Sequence, residues 1–180
     1  MLLKNNENME CKQMLLSDTG MTNPTAATKA IANVAGSAAY PNIRGTVVFK
    51  EAVGGTHVQA DIAGLPQTQT NFFAFHLHSG NCGGSPVSDS TGAVTDYFPQ
   101  SGGHYNPTNQ PHPNHAGDFP VMLAAPTKGG SAHLSFFTPR FIVNEAVGRA
   151  VIIHDQPDDY RTQPAGDSGM KIACGNVVAK

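Results

Sequence analysis

Tryptophan is absent from this chain, and charged residues make up only 13% of its 180 positions, about half of the roughly 25% usual for soluble domains. Eleven lysines and arginines stand against thirteen aspartates and glutamates, a formal net charge of −2. Without a basic excess there is no electrostatic footprint for nucleic acid or an anionic membrane surface. An anionic substrate would therefore need a local positive site, because the global field does not draw it in. No apolar run approaches the ~20 residues of a membrane-spanning helix. The opening stretch MLLKNNENMECKQMLLSDTG has a lysine but no continuous apolar segment and no clear cleavage site. No signal peptide is read there, and the cytoplasm is the default expectation. Cysteine is scarce as well: Cys11, Cys82 and Cys174 are an odd number without zinc-finger spacing. One pair and one spare thiol is the natural partition.

Glycine (19) and proline (13) are plentiful. Low charge with abundant turn residues suits one loop-rich all-β domain better than a helical one. Residues 1–40 are polar, Met- and Ala-rich and show no sustained periodicity, so they are expected to form a disordered tail, with the domain over 41–180. From Gly45 the pattern changes. GTVVFKEA is a β-branched and aromatic run, and HVQADIAGL alternates, with Val58, Ala60 and Ile62 on one face and His57, Gln59 and Asp61 on the other. That is the period-2 signature of a half-buried strand. FFAFHLH is read as a third strand with Phe73, Phe75 and Leu77 toward the core, and His76 and His78 sharing the opposite face. Further strands are expected at AHLSFFT, AVGRAVIIH and KIACGNVV. At least six short strands and no convincing helix predict an antiparallel sandwich or flattened barrel. Residues 79–119 lack periodicity, and so long a loop in a compact domain is usually functional.

Six of the eight histidines form one ordered series: His76 and His78 in FHLH, His104 in GGHYNP, His112 and His115 in HPNHAGD, and His154 in VIIHD, with Asp118 closing the third cluster. Taken alone, His76-Leu77-His78 is weak evidence, since two histidines on a strand face are more often solvated or structural. HPNHAGD is stronger, because three donors within seven residues of a turn can converge on one ion. His57 and His133 sit in strands without sequence neighbours of this kind and are read as non-ligands. Histidine is the commonest metal ligand, and seven donors are enough for two ions. Three imidazoles and a carboxylate make a normal tetrahedral zinc shell, while four imidazoles near a plane suit Cu(II). The donors divide accordingly: His112, His115 and Asp118 for zinc, His76, His78 and His154 for copper, and His104 shared. An imidazole bound at both nitrogens must be deprotonated, which two divalent cations make possible.

The series FHLH, GGHYNP, HAGD, GRAVIIHD and KIACG resembles the copper–zinc superoxide dismutases in order, spacing and flanking residues, over roughly residues 42–178. The resemblance implies an Ig-like Greek-key β-sandwich or flattened barrel of about eight antiparallel strands with long metal-binding loops. It implies copper at His76, His78, His104 and His154, and zinc at His104, His112, His115 and Asp118. Asp158 matches the family's carboxylate that hydrogen-bonds one copper and one zinc histidine, and Cys82 and Cys174 match its intrachain disulfide. Cys11 has no counterpart.

The activity so implied is dismutation of superoxide to dioxygen and hydrogen peroxide, with copper changing oxidation state, zinc structural and electrostatic, and His104 acting in proton delivery. The family carries an arginine three residues before its C-terminal cysteine, where this chain has Lys171. Lysine keeps the charge but loses the planar two-pronged donor, so activity is expected to be retained but reduced. Arg161 is a second anion guide or a solvated surface charge. The short zinc loop and the loop after Asp158 resemble bacterial members, which are commonly exported; relatives form homodimers or monomers. The alternative is a copper- and zinc-buffering or delivery domain with little turnover, which has no need of Lys171.

Overall fold

Period-2 alternation in the sequence becomes sheet in the computed structural model, which describes residues 27–180. Its strands are β1 (Lys29–Gly36), β2 (Arg44–Ala52), β3 (Gly55–Leu65), β4 (Phe72–Phe73), β5 (Phe75–His78), β6 (Val87–Ser88), β7 (Val94–Asp96), β8 (Met122–Leu123), β9 (Gly130–Thr138), β10 (Ala150–His154) and β11 (Lys171–Ala179). A 3-10 turn at Pro99–Ser101 and the single-turn helix α1 (Val143–Ala146) are the helical pieces among the described residues. Seven strands form one curled antiparallel sheet in the order β5-β10-β11-β1-β2-β3-β9, with β4-β8 and β6-β7 as small separate pairs. The expected antiparallel all-β barrel-like architecture is what the chain adopts. No helix among the described residues is long and apolar enough to cross a membrane.

The core is the inward face of that curl. Val58, Ala60 and Ile62 of β3 are buried as the alternation requires, together with Val47 and Phe49 of β2, Phe75 and Leu77 of β5, and Val151 and Ile153 of β10. Phe119 links Phe75 to Phe136, with ring centroids 5.2 and 5.1 Å apart. These tilted contacts are the arrangement aromatic quadrupoles favour. The expected third strand is divided in two: β4 turns away to pair with β8, through Phe72 with Leu123 and Phe73 with Met122. AVGRAVIIH is strand only from Ala150, because its first residues belong to α1 and the turn at Gly148.

The N-terminal boundary needs correction. Residues 29–36, assigned to the tail by sequence, form β1, an interior strand hydrogen-bonded to β11 on one side and β2 on the other. Ala30, Ala32 and Val34 are buried, so the period-2 pattern is present but written largely in alanine, which carries too little apolar contrast to stand out. The rest of the expected tail, residues 1–26 with Cys11, lies outside the described residues.

Cys82 and Cys174 form a disulfide 92 residues apart in sequence, joining the long loop to β11. Closing so long a loop restricts the unfolded chain and contributes up to about 4–5 kcal/mol in the chain-entropy view.

The interior position of β1 has a direct test. Ala32→Asp would bury a carboxylate with no partner, costing roughly 3–5 kcal/mol, or about 10 °C in melting temperature for a domain of this size. A tail residue would tolerate the change, so an unaltered thermal melt would remove β1 from the sheet.

Candidate metal centre

β5 lies at the free edge of the seven-stranded sheet, and an unpaired edge must be covered. The long loop covers it. Leu77 N–H donates to the Gly117 carbonyl at 2.9 Å and Tyr105 N–H donates to the Leu77 carbonyl at 2.7 Å, while Gly117 N–H donates to the Tyr105 carbonyl at 2.9 Å. This stitching sets His78 opposite His104 and His76 opposite Asp118. Gly117 sits so close that a Cβ there would overlap the Leu77 carbonyl oxygen. The glycine of HAGD is therefore a contact requirement, and it lets loop donors meet strand donors. His154 is added from β10, whose Ile152 pairs with His76.

Two four-residue groups result, each offering ligand atoms that all lie within 4.8 Å of one another: His76, His78, His104 and His154, and His104, His112, His115 and Asp118. His104 belongs to both. His57 and His133 lie apart from them on the exposed face of β3 and β9, bonded to Ser135 and Asp61.

Each imidazole of the first group has one nitrogen occupied by the protein and the other directed inward. His76 Nε2 donates to Asp158 Oδ2 at 2.8 Å, and its Nδ1 is buried without a partner. His78 Nδ1 donates to the Gly102 carbonyl at 2.8 Å, and His154 Nδ1 approaches the Gly169 carbonyl at 3.4 Å. That leaves their Nε2 atoms facing each other at 3.4 Å. His104 Nε2 is likewise buried and unpartnered. Two imidazole nitrogens in such contact cannot both be protonated, and unpartnered buried nitrogens are costly. A cation satisfies all four.

The second group uses the remaining nitrogen of His104. His104 Nδ1 is 2.7 Å and His115 Nδ1 3.1 Å from Asp118 Oδ1, the two nitrogens are 3.4 Å apart, and His112 Nδ1 is 3.1 Å from Asp118 Oδ2. A tetrahedron with bonds of ~2.0–2.1 Å has edges of roughly 3.3 Å, so a zinc ion fits this donor set. Asp118 Oδ2 also accepts from His115 N–H at 2.9 Å, which fixes the carboxylate.

Electrostatics keep four of the donors in their ligating form. Burial, then repulsion from neighbouring imidazoles, holds His76 and His78 well below the usual histidine range. Burial lowers His154 to about 4, against the pull of the Gly169 carbonyl. Burial works against the Asp118 carboxylate, yet hydrogen bonds from His104 and from the His115 backbone hold it below its ordinary value. Neutral imidazoles and an ionised carboxylate are the forms that bind metal.

Asp158 ties the two groups together. Its Oδ2 accepts from His76 and its Oδ1 from His112 Nε2 at 2.9 Å, with Tyr160 N–H also on Oδ1 at 2.6 Å. Gly166, in left-handed backbone, leaves the space this pair needs, since a Cβ there would overlap Asp158 Oδ1. Two further residues were not visible as site residues in the sequence. The Gln163 side chain accepts from His112 N–H at 3.0 Å and donates to the His112 carbonyl at 2.6 Å. Arg140 donates to the carbonyls of Pro113 and His115 at 3.0 and 2.9 Å. Neither lies in a motif, and only the folded loops show what they hold.

The first group opens onto a cavity of about 400 Å³ lined by His78, His104, His154, Asn106, Gly169 and Lys171 among others. Lys171 is one of the lining residues. Arg161 is exposed and does not line this cavity.

The family model for copper/zinc superoxide dismutase (SODC) matches residues 43–177. The chain belongs to the copper/zinc superoxide dismutase family. Among family members, a Deinococcus radiodurans superoxide dismutase [Cu-Zn] is 32% identical over 146 residues, which cover 74% of this chain and 76% of the relative. Superoxide dismutase [Cu-Zn] 3 of Arabidopsis thaliana is 30% identical over 173 residues, covering 87% and 94%. Among solved structures, the Cu/Zn superoxide dismutase from Brucella abortus aligns with a TM-score of 0.67 at 27% identity, over 84% of this chain and 99% of that one. Copper and zinc are the family's metals, and the two histidine groups here are able to hold both.

Replacing Asp158 tests the coupling between the groups. Asp158→Asn offers one acceptor where two imidazole N–H groups need one each, so metal affinity should fall roughly 10–100-fold. Chelator competition should register the loss for both metals together. A loss confined to one metal would mean that Asp158 does not couple the groups.

Proposed function

We propose that His76, His78, His104 and His154 hold copper and that His104, His112, His115 and Asp118 hold zinc, with His104 shared, in an enzyme that converts superoxide to dioxygen and hydrogen peroxide. One observation carries the assignment: every imidazole of the four-histidine group has its outer nitrogen engaged by the protein or by the second group, leaving four nitrogens for one ion. An all-imidazole set suits copper, and the mixed set with Asp118 suits zinc.

Copper supplies reversible one-electron chemistry, so that one superoxide loses an electron and leaves as dioxygen while a second gains it and, with two protons, leaves as hydrogen peroxide. The remaining work falls to the chain. Asp158, Gly102 and Gly169 hold ring orientation and tautomer, so little reorganisation is needed at the copper ligands. Asp118 fixes His104 through Nδ1, and the buried, unpartnered Nε2 would hold a proton whenever that nitrogen is not ligating copper. A proton held there is in position for transfer to the reduced product, which is general-acid chemistry. Lys171 supplies positive charge to the lining of the cavity that would admit superoxide. Chain-wide charge does not attract the anion, so this local cation is what steers it.

Binding without turnover is the competing reading, and Lys171 separates the two. Metal analysis and copper EPR beside a superoxide assay should find one copper and one zinc per chain with dismutation. Lys171→Met should leave metal content unchanged and lower the rate about tenfold or more, and Lys171→Arg should raise it above wild type. Both metals bound without dismutation would establish a buffering domain. Zinc in both sites with copper excluded would end the proposed mechanism.

A further inference from the structure

Lys171 reaches the cavity through an irregularity in the β10-β11 ladder. Ile153 pairs with Ala173, but His154 pairs with Lys171, so Ile172 is an extra residue on β11. Bulges of this kind re-aim side chains beside active sites. Without it, Ile172 would stand opposite His154, and Lys171 would fall one residue out of register. The bulge sets Lys171 and His154 opposite each other at the cavity.

The ammonium is not free once it arrives. Lys171 Nζ donates to Asp96 Oδ2 at 2.8 Å and to the Phe98 carbonyl at 3.3 Å. Asp96 is the last residue of β7, in the loop that the Cys82–Cys174 disulfide ties to β11. Its second oxygen, Oδ1, accepts from Phe98 N–H at 2.8 Å. Both carboxylate oxygens are therefore committed, and Asp96 forms a fixed mount. Two of the three ammonium hydrogens are used, leaving one uncommitted. Both side chains are largely buried, 16% and 29% exposed, so solvent screens the pair less than it would a surface ion pair.

We infer that Asp96 is a positioning residue for Lys171, fixing where the ammonium stands beside the cavity that Lys171 lines and offsetting part of the positive charge that an entering anion meets. A flexible lysine has no planar fork to define its own geometry. The Asp96–Phe98 mount defines it, and weaker anion attraction is the consequence. The inference rests on the copper reading of the four-histidine group.

The test uses the copper- and zinc-loaded protein with azide as the anionic probe, titrated against the copper absorption band. Asp96→Asn keeps an oxygen acceptor for Lys171 and removes the charge. Azide should bind about three- to tenfold more tightly, and kcat/KM for superoxide should rise and fall more steeply with ionic strength. Combining Asp96→Asn with Lys171→Met should abolish both effects, because the cycle isolates the pair. A purely structural Asp96 would lower the melting temperature without tightening azide binding. Unchanged azide affinity and salt dependence in a copper-loaded, active Asp96→Asn protein would overturn the inference alone. Equal tightening in the Lys171→Met background would also overturn it, since Asp96 would then act independently of Lys171. Failure of the wild-type protein to take up copper would overturn it together with the copper reading.

Discussion

An imidazole buried in a metal cavity has two nitrogens, and only one of them can serve the ion unless the ring is shared. The fold meets this constraint at four of the six histidines with a separate partner. Carbonyls of Gly102 and Gly169 take the Nδ1 of His78 and His154, and Asp158 takes the Nε2 of His76 and His112. Each partner decides which nitrogen is left for metal, and so decides the tautomer. In His104 both nitrogens face donor groups. Its Nδ1 joins the Asp118 group and its Nε2 the four-histidine group, which makes it the shared ring. Glycines at 117 and 166 stand at these contacts because a Cβ would overlap the Leu77 carbonyl at the first and the Asp158 carboxylate and His112 ring at the second.

That arrangement depends in turn on how the sheet edge is closed. β5 brings two ligands from one strand face, and its exposed backbone groups recruit the loop carrying four more donors. The same hydrogen bonds that satisfy the edge therefore place the site. The disulfide from Cys82 to Cys174, the Gln163 amide on His112 and the Arg140 guanidinium on the zinc loop hold that loop at three separate places. A catalytic loop this long would otherwise open locally at little free-energy cost. Anchoring it to β11 and to the segment after Asp158 links both sides of the metal cavity.

What could be read from the chain beforehand follows from how each feature is encoded. Ligands were legible because histidine is rare and its chemistry specific: the seven expected donors are the residues that converge. The strands of β2, β3, β9 and β11 were legible because Val, Ile and Phe contrast with their polar neighbours. β1 was not, since Ala30 and Ala32 bury little area and resemble residues of a polar tail. Asp96, Arg140 and Gln163 were not legible either. Each is an ordinary polar residue whose role exists only through a partner 75, 25 or 51 positions away in sequence, a relation that local pattern does not carry.

Lys171 combines both cases. Its match to the family's arginine position made it legible as the cation of the site, but sequence alone suggests a side chain free to meet the substrate. The β-bulge at Ile172 and the Asp96 carboxylate change that picture. An arginine has five donors, enough to hold a mount such as Asp96 and the Phe98 carbonyl while still presenting a planar pair to an anion. A lysine with the same two contacts has one hydrogen left, and one of those contacts is a carboxylate. The substitution and the carboxylate are therefore best understood as one feature, in which geometry is held firm at the expense of attraction for the substrate.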